Sequence, residues 1–472
     1  MAASEILFQS ATELAALLRT RKLSPVELTR AFLDRIEALN PKVNAFITVT
    51  GEQALEQAKK AEREIAAGRY RGPLHGLPYA PKDLLATKGI RTTNGARATA
   101  NWIPGHESTV TARLNRAGAI LIGKLNLLEF AMGSGQRGLI APARNPWNLA
   151  YSPSGSSSGS GAAVAAGMVP LAIGSDSGGS IRNPAKSCGI VGLKPTYGRV
   201  SRYGATTLSW TLDHVGPMAR TVPDVLRLLQ AIAGPDPRDR TAARVPVPDY
   251  GRQLTGNVKG LRIGVPAEYY FGHVLPETEA ALRRAISLLK DLGAALVDFK
   301  VANAALCGTA SSIILNSEAA ACHEKRLREN ADLLEPLVRE RLEVATFHTA
   351  LDYIKALRVR TLLMEEVRRV FQTCDVIMLP AGNAAPKLEE EIVGTDAPTV
   401  PPRAPRPDSY TLANMTGIPA MVLPCGFTAG PPSLPLAIQF CARPFDEGTL
   451  FRVGHAYQSA TDWHRRRAPL EA

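Results

Sequence analysis

Residues 153–167 read PSGSSSGSGAAVAAG, and the fold turns on whether this run is a linker or an ordered loop entering a helix. Composition alone says linker, since Gly/Ser runs usually join domains flexibly. The neighbouring residues argue otherwise. Residues 162–168 (AAVAAGM) read as a tight helix and residues 169–174 (VPLAIG) as a buried strand. A helix feeding an apolar strand is the working unit of an α/β protein.

The same alternation recurs outward from this point. Ser24-Pro25-Val26-Glu27 is a capping box with Pro at the first helical position. Leu28, Phe32, Leu33, Ile36 and Leu39 continue it as an apolar stripe, and residues 52–67 predict a second, Ala-rich helix, so residues 1–70 form a helical N-terminal part. A helix near 109–116 ends at Gly118 and leads into the apolar strand AILIG at 119–123. Residues 258–265 predict a strand, 276–292 an amphipathic helix, 295–299 a strand and 304–372 a long helical region. The segments DVIMLP (375–380), MVLPCGF and LPLAIQFC predict three more strands, with a Pro-rich loop at 395–407. Helix–strand alternation of this kind predicts an α/β fold with a largely parallel or mixed sheet.

The chain has 472 residues, 45% hydrophobic and 21% charged, ordinary values for a globular protein. No apolar run approaches the roughly 18 residues of a membrane span, so no membrane association is expected. The N-terminus carries Glu5 and Glu13 and no basic n-region, which reads as mature protein and a cytoplasmic location. The 6 cysteines form no CxxC pair, so neither structural zinc nor a disulfide framework is expected. The net charge is +12, yet the only dense basic run is His464-Arg465-Arg466-Arg467. Elsewhere Lys and Arg alternate with Glu and Asp, a solvated surface, and no nucleic-acid partner is expected.

Phosphate-loop chemistry is excluded: no Lys follows the glycines, and Val164 stands where the third Gly of GxGxxG belongs. The serine-hydrolase elbow GxSxG matches at Gly155–Gly159, with Ser157 as its serine. An elbow follows a buried strand, however, and here the polar, Pro-punctuated NPWNLAYSPS precedes it. It also needs an acid and a His; His214, His323 and His455 are present, none in a distinctive setting. A second cluster, GSDSGGSIR at 174–182, follows VPLAIG directly. Glycines before a Ser let backbone N–H groups turn toward a small space, as an oxyanion hole requires. Ser180 then occupies a nucleophile's position; a plain Gly-rich turn, with Asp176 and Arg182 as a structural ion pair, is equally open on this segment alone. A nucleophilic Ser needs a base, and Lys serves if burial keeps it neutral. Lys82, after the apolar run GLPYAP, is a candidate.

Taken together, GLPYAPKD (76–83), ARNPWN (143–148), the block from Gly155 to Thr196 and NMTGIPAMVLPCGF (414–427) resemble the amidase signature family, in the family's order and across nearly the whole chain. The resemblance implies one large α/β domain with a mixed, twisted central sheet covered by helices on both faces, a signature core at 76–235 and a pocket-forming helical region at about 304–372. It implies a Ser–cis-Ser–Lys triad: Lys82 as base, Ser156 as the bridging serine on a cis peptide, and Ser180 as nucleophile. It places the oxyanion hole on the N–H groups of Ser177, Gly178, Gly179 and Ser180, supported by Asp176 and Arg182. Departures from the family's pattern are Ser154, Ser158, Pro81, Lys186 and Ser187; none removes a triad atom.

The implied function is an amidohydrolase that cleaves a carboxamide-type C–N bond, with amides, aryl amides and carbamates as candidate substrates. The expected partner is a small-molecule amide, with no cofactor or metal, and a homodimer is left open. The alternative is the glutaminase subunit of a tRNA-dependent amidotransferase, where Arg360 would pair with a glutamine carboxylate or be an ordinary helix-face Arg. A Ser-His-Asp hydrolase is a less favoured alternative, and a basic RNA-associated or scaffold protein that has lost catalysis is the third reading, against which an intact triad argues. Substrate choice is expected in 131–139, the 304–372 helices and the 395–407 loop.

Overall fold

The computed structural model describes residues 3–134, 138–266, 270–272, 274–393 and 409–470. Its strands in chain order are β1 Phe46–Val49, β2 Pro78–Pro81, β3 Ile120–Leu121, β4 Gly123–Leu125, β5 Leu171–Asp176 and β6 Val191–Lys194. They continue as β7 His214–Ala219, β8 Arg262–Pro266, β9 Ala295–Phe299, β10 Val376–Pro380, β11 Ala420–Phe427 and β12 Pro435–Ala442. Ten of these form one sheet in the order β3-β2-β5-β7-β6-β11-β12-β10-β8-β9. Both ends of the sheet pair in parallel, β3 with β2 with β5 and β10 with β8 with β9, while the middle is antiparallel. The expected mixed α/β architecture is therefore present.

Side-chain alternation along β10 shows why helices lie on both faces. Val376 and Met378 join a large core that includes the N-terminal helices, while Ile377 and Leu379 join a second core with Ile314, Leu363 and Val367. The second core is built by the helices Cys307–Glu329 and Ala350–Thr373. The predicted 304–372 helical region consists of these two helices with a third, Pro336–Ala345, between them. Pro336 sits at the first turn, where its missing N–H costs nothing.

Two local expectations are refined. AILIG is not one strand: β3 joins the large sheet, while β4 pairs antiparallel with β1. Gly123 starts β4 because a Cβ there would lie 2.4 Å from the carbonyl of Thr48. The capping box is present as read: Ser24 Oγ accepts the Val26 N–H at 2.9 Å, and Glu27 accepts the Ser24 N–H at 3.2 Å. The loop 395–407 and residues 135–137 lie outside the described residues. No described helix is long and apolar enough to cross a membrane.

Candidate active site

The run 153–167 is an ordered loop leading into a buried helix, Ser158–Ala165. That helix packs beside β5, and all of its residues are buried. Gly155 precedes a cis peptide to Ser156. A Cβ on Gly155 would lie 2.4 Å from Leu128 Cδ1, so any larger residue here requires the Leu128 side chain to move. The Ser156 carbonyl accepts the Leu128 N–H at 3.2 Å, and the Ser157 N–H donates to the Ser180 carbonyl at 3.2 Å. The loop is therefore pinned on one side to Leu128 and on the other to the second serine cluster.

Lys82 follows β2 and keeps the sheet register despite Pro81, its N–H donating to the Ile173 carbonyl at 2.9 Å. Its side chain is fully buried. Lys82 Nζ lies 2.7 Å from Ser156 Oγ and 2.9 Å from Ser175 Oγ. Burial lowers its pKa to about 7, against the opposing pull of the Asp176 and Asp213 charges. Ser156 is buried, while Ser180 is half-buried and Gly178 is exposed, so the loop opens to solvent near Ser180.

The Gly-rich loop after β5 is anchored by one carboxylate. Asp176 accepts the N–H of Gly179 at 2.8 Å and of Ile181 at 3.1 Å. It is bidentate to Arg182, at 3.0 Å from both Nε and Nη2. Arg182 further donates to Gln439 at 2.8 Å, the Tyr410 carbonyl at 2.9 Å and Asn414 at 2.6 Å. Burial pushes the Asp176 carboxyl up, but Arg182, Lys194 and Asn414 outweigh it and hold it below the usual carboxylate range. Asp176 and Arg182 thus form the buried ion pair that the sequence anticipates. Of the four N–H groups assigned to the oxyanion hole, that of Gly179 is held by Asp176 in this structure. Gly179 has φ of 117°, a conformation that only Gly adopts without strain.

The elbow serine is committed elsewhere. Ser157 Oγ donates to the Ser175 carbonyl at 3.1 Å and accepts the Ser175 N–H at 3.2 Å, and the residue is wholly buried. The three candidate histidines have other surroundings. His214 lies against the Leu212 carbonyl at 2.7 Å and Lys194 Nζ at 3.1 Å, His323 stacks on Phe130, and His455 is in the helix Glu447–Ser459. Arg360 donates to the Met415 carbonyl at 2.8 Å and the Thr211 carbonyl at 3.3 Å. Two departures from the family pattern meet each other: Ser154 Oγ lies 2.8 Å from Ser187 Oγ. Ser175, Asp213, Asn414 and Gln439 were not singled out from the sequence. Ser175 carried a local signal, since it precedes Asp176 in the strand that enters the Gly-rich loop, and Asn414 opens the signature segment 414–427.

The chain is similar to known proteins along almost its whole length. The A subunit of glutamyl-tRNA(Gln) amidotransferase from Geobacter metallireducens is 42% identical over 485 residues, covering 97% of this chain and 98% of the relative. Its counterpart from Moorella thermoacetica is 40% identical over 99% of both chains. Among solved structures, peptide amidase from Stenotrophomonas maltophilia superposes with a TM-score of 0.85 at 30% identity, covering 98% of both chains. The A subunit of the Thermotoga maritima glutamyl-tRNA(Gln) amidotransferase superposes at 0.79 and 32%, covering 97% of this chain and 95% of that one. These relatives correct one expectation. A small-molecule amide as the sole partner, with no nucleic acid, does not agree with relatives that are named as part of a tRNA amidotransferase. A charge pattern reports only what a chain's own surface favours and is silent on what an assembly of several subunits contacts. The family model for Amidase matches residues 27–451, and the chain belongs to that family of amide-processing enzymes.

Proposed function

We propose that this chain is the amide-cleaving subunit of a tRNA-dependent amidotransferase, releasing ammonia from glutamine through a serine acyl-enzyme. The observation that supports the chemistry is Lys82: fully buried, bonded by its amine to the hydroxyls of Ser156 and Ser175, and brought to a pKa of about 7 by burial. In this reading neutral Lys82 draws a proton through Ser156 from Ser180. Ser180 Oγ attacks the carboxamide carbon, and the oxyanion rests on the N–H groups of Ser177, Gly178 and Ser180. The relay returns the proton to the leaving nitrogen as the C–N bond breaks, and water then cleaves the ester. The subunit reading is supported by the name shared by relatives that are 40–42% identical over almost the whole chain.

A fluorophosphonate label mapped by mass spectrometry tests the nucleophile, with an adduct expected on Ser180; an adduct on Ser157 sinks the assignment. Ammonia release from glutamine, measured with and without the remaining amidotransferase subunits and glutamyl-tRNA, tests the rest. Stimulation by those partners is expected. Efficient cleavage of simple amides by the chain alone, with no response to partners, overturns the subunit reading in favour of a free hydrolase.

A further inference from the structure

Behind the Gly-rich loop, a six-residue turn at 208–213 is held from three directions. Asp213 accepts the N–H groups of Leu208 at 2.9 Å and Ser209 at 3.0 Å, closing the turn on itself. Its Oδ1 also accepts the Ser177 hydroxyl at 2.5 Å, across the gap between β5 and the turn. From the helix Cys307–Glu329, Glu318 accepts Ser209 Oγ at 2.5 Å, the Thr211 N–H at 2.9 Å and Thr211 Oγ1 at 2.8 Å. From the helix Ala350–Thr373, Tyr353 donates to Glu318 at 2.7 Å, and Arg360 donates to the Thr211 carbonyl. Every partner is charge-assisted or buried, so the chain from Ser177 to the helices has little slack.

We propose that Asp213 is a positioning residue for amide cleavage: it clamps Ser177, at the head of the oxyanion loop, and transmits to that loop the placement of the two helices that hold Glu318. The inference rests on Ser180 as the nucleophile. Ser177 is one of the residues whose N–H groups face the developing oxyanion in that reading, and a donor displaced by about 1 Å costs on the order of a hundredfold in rate. Asp213 has a second effect. Its charge and that of Asp176 are the two that act on Lys82 in favour of the ammonium. Asp176 is itself neutralised by Arg182 and Lys194, and Asp213 is faced by Arg202. Removing the Asp213 charge therefore leaves Lys82 easier to deprotonate.

The test compares Asp213→Asn, Ser177→Ala and Glu318→Gln with the wild-type chain, in complex with its partners if glutamine turnover requires them. Asp213→Asn is expected to lower kcat roughly 10- to 100-fold with a smaller change in KM. Its acid limb in kcat/KM is expected to move to lower pH, and Asp213→Glu to restore it. Ser177→Ala is expected to lower kcat without moving the limb, and Glu318→Gln to do so more weakly. A merely structural role would lower thermal stability and leave both kcat and the acid limb of the folded enzyme unchanged, which overturns the proposal. If Asp213→Asn does not fold, Ser177→Ala decides, and a wild-type kcat there overturns it equally. Ser180→Ala separates the two levels. If it is inactive while the Asp213 and Ser177 variants are normal, only this inference falls; if it is active, the nucleophile assignment falls with it.

Discussion

Lys82 and Lys124 are both wholly removed from solvent, yet their ammonium groups meet different company. Lys124 Nζ lies 3.1 Å from Asp83 and donates to the Leu85 carbonyl and Thr92 Oγ1, each at 2.8 Å. Lys82 Nζ meets the hydroxyls of Ser156 and Ser175, and among the described residues it has no ion-pair partner. Burial lowers both pKa values, but Asp83 counteracts it directly at Lys124. The difference is set by neighbours in sequence. Lys82 and Asp83 are successive residues leaving β2, and extended backbone sends successive side chains to opposite sides. The Lys enters the candidate site, and the Asp turns away to hold Lys124 and the Thr93 N–H at 2.7 Å. Burial favours the neutral amine at both lysines, and only at Lys124 does a carboxylate in contact oppose it.

The strongest way to break this comparison is to remove each amine. Lys82→Ala is expected to lower kcat by at least about a thousandfold, as loss of one member of a catalytic relay does, while circular dichroism and thermal unfolding stay near wild type. A variant that keeps a tenth of the activity would remove Lys82 from the chemistry. Lys124→Met should act the other way. It strands the buried Asp83 carboxylate, so about 3 kcal/mol or more of stability is expected to disappear, read from chemical denaturation, with kcat per folded molecule preserved. Should the two variants behave alike, the contrast between hydroxyl and carboxylate partners is wrong.

A subtler probe is pH. In the proposed mechanism the neutral amine is the active form, so activity is expected to hold above the Lys82 pKa of about 7 and to fall tenfold per unit below it. A flat acid limb down to pH 5 would sink the neutral-lysine role. The smallest expected effect lies in the loop that carries Ser156. Ser154→Ala breaks the contact with Ser187 and should cost about 1 kcal/mol, because it leaves one buried hydroxyl without its partner. The double variant Ser154→Ala/Ser187→Ala should recover part of that loss, and strictly additive single-variant costs would deny the coupling.

Much of this was legible in the chain before any coordinates. The capping box at Ser24, the strand inside VPLAIG and the order of the signature segments are local features, and local physics fixes them. Lys82 and Ser180 were also legible as candidates, because a Lys after an apolar run and a Ser behind two glycines are short patterns; Ser156 entered only through the family resemblance. The split of AILIG between two sheets was not, since it depends on β1 arriving opposite Gly123. Nor was the consumption of the Ser157 hydroxyl, which needs β5 to lie against the helix Ser158–Ala165.

By itself, then, the sequence determined an α/β chain of the Amidase family with Lys82, Ser156 and Ser180 as its candidate chemistry. Only the tertiary structure decided that Lys82 meets hydroxyls while Asp83 serves Lys124, that Gly179 answers to Asp176, and that Asp213 reaches Ser177. The reason is distance along the chain. Asp213 lies 36 residues from Ser177, and Asn414 lies 238 from Asp176. Pairings of that kind come from strand order in the ten-stranded sheet, which local periodicity does not encode.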